Sequence, residues 1–118
     1  MNTIKNEQYE LKLDVEEGQL FLSGRLRLAT LEDYQPIVDN LKRLSISSHN
    51  NLYLDITHLK FLNSLGIVVL SHFVIDCRKR QHGQIVVAYD ANIPWQLKSI
   101  NNLQRLLPSL ILREVNNG

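Results

Sequence analysis

Asn63–Ser64–Leu65–Gly66 is the stretch of this 118-residue chain best placed for chemistry. It stands where a short apolar strand, ending near Ile56, passes through the segment Thr57–Asn63 into a long apolar helix beginning at Ser64. A side chain at a helix start faces backbone N–H groups that no carbonyl of the same helix can reach, and such groups favour anions. Two chemistries suit Ser64. Its hydroxyl can cap the helix by accepting a first-turn N–H, a role for which Asn63 competes. Alternatively it can carry a phosphate, which the helix dipole and free N–H groups would hold while about −2 of charge is added. The remaining inventory is thin. His49, His58, His72 and His82 show neither HxH nor HExxH spacing, and no Cys–His set, GxSxG, GxxxxGK[ST] or GxGxxG is present. His58 could approach Ser64 through the intervening segment, but a loop histidine is ordinarily solvated. Cys77 falls on the core face of the helix and reads as a small hydrophobe. The expectation is a protein that is not an enzyme and carries no metal or cofactor.

The elements that position this stretch are read from periodicity. Tyr9, Leu11, Leu13 and Val15 alternate with charged residues, and Leu20 and Leu22 resume the alternation after Glu17–Gly18, which predicts a hairpin. Gly24 marks a bulge or a close backbone approach in its second strand. Thr30 is the N-cap of a helix to about Leu44, with Leu31, Tyr34, Ile37, Val38, Leu41 and Leu44 on one face. A polar loop, Ser45–Asn51, leads to Leu52–Ile56, a strand expected to be parallel and central. In the helix from Ser64 to about Arg80, Ile67, Leu70, Val74 and Cys77 share the natural core face. Leu65, Val69, His72 and Asp76 lie opposite, so Leu65 and Val69 either form a partner surface or are buried under Thr57–Asn63 or a neighbouring helix. Gly83 suits the left-handed end of that helix. Gln84–Tyr89 reads as a strand covered on both faces, Pro94 opens a third helix that stops at Asn102 or continues to Leu107, and Leu110–Val115 is a last strand. The expected fold is α/β, a mixed β-sheet packed with about three helices in the order ββαβαβαβ. It is one domain over residues 1–118, with residues 1–7 and 116–118 as frayed tails.

Composition narrows the function classes. Thirteen basic and twelve acidic residues give a net charge of +1, so no overall field draws nucleic acid or an anionic membrane. The run Arg78–Lys79–Arg80 suits a helix C-terminus instead. A single cysteine excludes an internal disulfide framework. The polar N-terminal stretch lacks a signal-peptide core, and no segment has the length of a membrane span. The expectation is a cytoplasmic protein with no direct membrane insertion and no nucleic-acid partner.

Asp55-Ile-Thr-His-Leu-Lys-Phe-Leu-Asn-Ser-Leu-Gly-Ile67 resembles the signature of STAS domains, the anti-sigma factor antagonist family. Asp55, Thr57, Leu59, Phe61, Leu62, Ser64, Gly66 and Ile67 fit its usual form. Gly24-Arg-Leu26 ahead of Thr30, and Asn102-Leu103 ahead of Leu106–Leu107, are similar to the family's early and late elements, so the resemblance covers nearly the whole chain. It implies a non-enzymatic module of partner switching. A kinase-type anti-sigma factor would bind the chain, phosphorylate Ser64 and release it, and a PPM-type phosphatase would restore it. The implied contact surface comprises Asn63, Leu65, Gly66, Val69 and His72, with Gly66 permitting close approach. Three positions depart from the family pattern: Asn63 replaces an Asp, Leu65 a second serine, and Arg27 an acidic residue. Arg27, if near, would favour a phosphate. The resemblance also admits a subunit docking on an ABC transporter ATPase. A small-molecule-sensing domain using a pocket near Ser64 is the alternative from another class.

Overall fold

The computed structural model describes residues 1–47 and 50–116. His49, and residues 117 and 118 of the expected tail, lie outside the described residues. The core of the fold is a hairpin followed by three crossovers between parallel strands. Strand β2 (Tyr9–Asp14) and strand β3 (Gln19–Leu26) pair antiparallel as the alternation predicts, with Leu11, Leu13, Leu20 and Leu22 buried on one face. Helix α1 (Leu31–Ser45) follows, then strand β4 (Asn51–Leu62), helix α2 (Ser64–Lys79), strand β5 (Gln84–Tyr89), helix α3 (Pro94–Leu106) and strand β6 (Ile111–Glu114). Strands β3, β4, β5 and β6 pair parallel in sequence order, and crossovers of one hand in that order return over the same face. All three helices therefore form one layer, α1 beside α2 and α2 beside α3. The sheet is mixed and β4 is central, as expected.

Four expectations change. Residues 1–7, expected to fray, contribute an edge strand β1 (Asn2–Lys5), which pairs antiparallel with β2 from Asn2↔Leu13 to Lys5↔Glu10. This polar strand has no buried stripe of its own, and its backbone is ordered by the pre-formed hairpin. The segment Thr57–Asn63 is no loop: β4 runs on to Leu62, which explains why that segment is so apolar. Gly83 is not the left-handed residue after α2; Gln81 takes that role at φ +56°. Gly83 instead packs against Asn50, whose carboxamide lies 2.5 Å from where a Cβ would stand. Finally, β5 is covered by helices on one face only. Ile85 and Val87 lie beneath them, and Val86 is half-buried on the open face.

The extension of β4 sets the position of the site. The β4–β5 ladder covers only Asn51–Asp55 with Gln84–Ala88, so the later carbonyls of β4 need other donors. Helix α3 supplies them. The buried Gln96 donates from Nε2 to the carbonyls of Ile56 (2.6 Å) and Leu59 (3.0 Å), while its Oε1 accepts the Asp90 N–H at 2.8 Å. Trp95 Nε1 adds a second donor to Leu59 at 2.7 Å. On the other side β3 stays paired out to Leu26↔Leu62 by shifting register twice. One shift falls after Gly24, at φ +108°, where a Cβ would meet the Gln8 carbonyl at 2.4 Å, so both readings of that glycine hold. The other faces Asp55–Thr57, where Asp55 Oδ1 accepts from the Thr57 N–H (2.9 Å) and hydroxyl (2.7 Å). The Asp-x-Thr of the resemblance is thus a local clamp on an irregular strand.

Candidate functional site

At the junction of β4 and α2 the chain turns on Asn63. Its backbone N–H donates to the Leu26 carbonyl at 3.0 Å, and its Nδ2 donates to the Leu28 carbonyl at 2.9 Å. Its Oδ1 accepts from the Gly66 N–H at 3.0 Å and from the Tyr34 hydroxyl at 2.6 Å. Asn63 is therefore the N-cap of α2, resolving the competition with Ser64. The same carboxamide ties the β3–α1 connection and α1 itself to the start of α2. Tyr34 is fully buried, and burial pushes its phenol above the usual range despite a backbone hydrogen bond at Leu28.

Ser64 is the first residue of α2 and is exposed. With Asn63 holding the cap, the serine hydroxyl is not used to begin the helix. The amides of Ser64 and Leu65 belong to the first turn, where no carbonyl of α2 can reach them. Asn63 binds the carbonyls on either side of Arg27, so the Arg27 backbone is pinned beside the helix start. Its exposed guanidinium lies 4.7 Å from the centroid of the half-buried Phe61 ring, a cation–π contact that leaves the N–H fork open to solvent.

The expected contact residues fall at three depths. His72 is exposed, as is the expected switch Ser64, while Asn63 and Leu65 are half-buried, Leu65 against the core. Gly66 and Val69 are buried. A Cβ on Gly66 would stand 2.2 Å from Leu62 Cδ1 and 2.8 Å from the Tyr34 hydroxyl, so the close approach that this glycine permits is internal. Of the two readings of Val69, burial under a neighbouring helix holds: it is 6% exposed because α1 lies alongside α2 and widens its buried face to include Val69 and Phe73. The apolar side chain presented to solvent is Val68, at 44% exposure, which the helical periodicity did not single out.

The other candidate groups are accounted for by structure. His58 sits on the extended part of β4, paired with Ser23, with Nδ1 3.1 Å from the Thr57 hydroxyl. Four further strand residues carry the chain about 13 Å onward to Leu62, so His58 does not serve Ser64. It lines a depression on the open sheet face with Glu10, Lys12 and Phe21. Cys77 is buried, and desolvation pushes its thiol up to about 12, which keeps it protonated and unreactive. His82 bonds the Ser45 carbonyl and helps tie the ends of α1 and α2 together. Among the described residues no three His, Cys, Asp or Glu side chains converge as a metal site. No described helix is long and apolar enough to cross a membrane.

No family model matches this chain, and no curated protein matches it. Solved structures do. The chain is similar to one in the crystal structure of the diguanylate cyclase SiaD in complex with its activator SiaC from Pseudomonas aeruginosa. The TM-score there is 0.74 at 14% identity, over 98% of this chain and 100% of that one. A structure of SiaC of Pseudomonas aeruginosa gives 0.74 at 15% identity over 99% and 100% of the two chains. The apo-SiaC crystal structure gives 0.63 at 13% identity over 97% and 98%. At such identities the likeness is one of fold, and it extends over nearly the full length of both partners in each comparison.

Proposed function

We propose that this chain is a non-enzymatic regulatory module of the cytoplasm that binds a signalling protein, with Ser64 as its switch. The observation that carries the reading is the division of labour at the start of α2. Asn63 makes the hydrogen bonds that hold the helix in place, and the next residue offers an exposed hydroxyl at the positive end of the dipole. A phosphate on Ser64 adds charge beside the pinned Arg27 without removing any bond the cap makes. The fold likeness to SiaC, an activator of the diguanylate cyclase SiaD, supports a role in binding rather than catalysis.

The contact surface in this reading is Ser64, Leu65 and His72, supported from beneath by Gly66 and Val69 and held in register by Asn63. A kinase-type anti-sigma factor or another signalling protein is the partner, and a PPM-type phosphatase reverses the modification. Mass spectrometry of protein from its native cell should find phosphate on Ser64. Binding to the cognate partner should weaken in Ser64→Asp and persist in Ser64→Ala. Equal affinity of the native protein and both variants would sink the switch.

A further inference from the structure

The solvent side of the α1–α2 pair carries a trough of about 430 Å³. Both helices are crossovers between parallel strands and therefore run the same way, so the trough has two chemically different ends. Its N-terminal end is apolar and open, with Leu31 55% and Val68 44% exposed above a floor of Leu41, Val69 and Phe73. Its C-terminal end is lined by Lys42 and Arg80. Asp76 also lies there, but it accepts hydrogen bonds from the Ser45 hydroxyl at 2.6 Å and Arg80 Nε at 3.2 Å. Burial alone would raise the Asp76 carboxyl; those two donors and the Lys42 charge outweigh it and hold the group below its ordinary range. Lys42 is exposed and makes no ion pair within 4 Å among the described residues, so that end faces a partner with cationic character. From Val68 to Arg80 the trough follows α2 for about 18 Å, or roughly three helical turns.

We propose that this trough seats an amphipathic helix of the partner protein, with apolar anchors between Leu31 and Val68 and a carboxylate against Lys42. Length and charge carry the choice of occupant: the trough takes about three helical turns, its apolar floor accommodates i, i+3/i+4, i+7 anchors over the first two, and the cationic end sets the direction of the bound helix. The proposal rests on the reading of α2 as the docking element and deepens it. Ser64 is one turn before Val68 on the same face of α2. A phosphate there places a hydrated double charge at the apolar end, where the partner's anchor must be desolvated.

The test uses the full chain and a synthetic helical peptide of about 14 residues. The peptide carries Leu at i, i+4 and i+7 and Glu in its last turn. Controls have the Leu positions scrambled, or Lys in place of Glu. The Glu peptide should bind with amide shifts confined to α1 and α2. Val68→Asp should weaken it about tenfold or more, and Lys42→Glu should invert the preference toward the Lys peptide. Both substitutions are on exposed side chains, so retained amide spectra will verify folding. Equal binding of the scrambled peptide overturns the proposal, as do shifts centred on the open sheet face, no binding at millimolar peptide, or self-association of the chain through the trough. If Ser64 variants alter affinity for the cognate partner while Val68→Asp and Lys42→Glu do not, the switch stands and the trough assignment falls. Peptide binding that responds to Val68 and Lys42, beside a partner indifferent to Ser64, gives the converse.

Discussion

Asn63→Asp is the most discriminating perturbation of the site, because it inserts the residue that the STAS signature carries. Asparagine here uses both ends of its carboxamide. Oδ1 accepts from Gly66 N–H and the Tyr34 hydroxyl, and Nδ2 donates to the Leu28 carbonyl at 2.9 Å. Aspartate can keep the two accepted bonds, and its charge at a helix N-terminus is worth about 0.3–1 kcal/mol. It cannot donate to Leu28. One hydrogen bond is lost and two acceptor oxygens are brought face to face, which costs about 1–3 kcal/mol in a part-buried setting. The expected net is a loss of about 1–2 kcal/mol at neutral pH. Asn63→Ala, which removes the bonds to Gly66, Tyr34 and Leu28 together, should be worse, by about 2–4 kcal/mol. Urea denaturation of the three proteins at pH 7 measures this. An Asp variant at least as stable as the native protein at pH 7 would refute the two-ended role of Asn63.

Three further outcomes follow from neighbouring geometry. Gly66→Ala gains helix propensity of about 1 kcal/mol. Its Cβ nonetheless meets Leu62 Cδ1 at 2.2 Å, so denaturation should show a net loss of roughly 1–2 kcal/mol from overpacking. Gln96→Leu leaves the Ile56 carbonyl and the Asp90 N–H without their side-chain partner, and should cost about 2–4 kcal/mol while keeping the fold by circular dichroism. Asp76 has a lowered folded pKa, so its contribution is present above its unfolded pKa and disappears as pH falls through the folded one. In Asp76→Asn that acid limb of the stability–pH curve should flatten by less than about 1 kcal/mol, since the side chain is 36% exposed and its pairing with Arg80 is screened.

What the sequence disclosed depended on how local the cause was. The hairpin, α1 and the start of α2 follow from alternation, Thr30 and the 3.6-residue period, all carried by near neighbours. The edge strand β1 and the second half of β4 do not. Asn2–Lys5 is ordered by a ladder to β2, and Thr57–Leu62 breaks its alternation because the pairing with β3 is bulged. At the site, Ser64 was legible from its position. Asn63 was legible as a competing cap, but its latch to Tyr34 and Leu28 was not, since those residues lie 29 and 35 residues away in sequence. Which of the two readings of Val69 holds was hidden for a similar reason. A helical wheel fixes which residues share a face, whereas the width of the buried face depends on α1 lying beside α2.

The division between Asn63 and Ser64 also decides how a modification would be felt. Had Ser64 been the cap, a phosphate would have replaced a hydroxyl on which the helix start depended, and altered binding could not be separated from altered folding. Here the cap and the latch to Tyr34 and Leu28 belong to Asn63, and Ile67 N–H is satisfied by the Asn63 carbonyl at 3.0 Å. Negative charge at Ser64 then acts on an intact helix end, where the dipole favours it by about 0.3–1 kcal/mol. Ser64→Asp should therefore melt at the same temperature as the native protein or slightly above it, with backbone amide shifts limited to the first turn of α2, while its affinity for the partner falls. A melting temperature lowered by several degrees would mean that the Ser64 hydroxyl is part of the cap after all, and that phosphate at this position works by loosening α2.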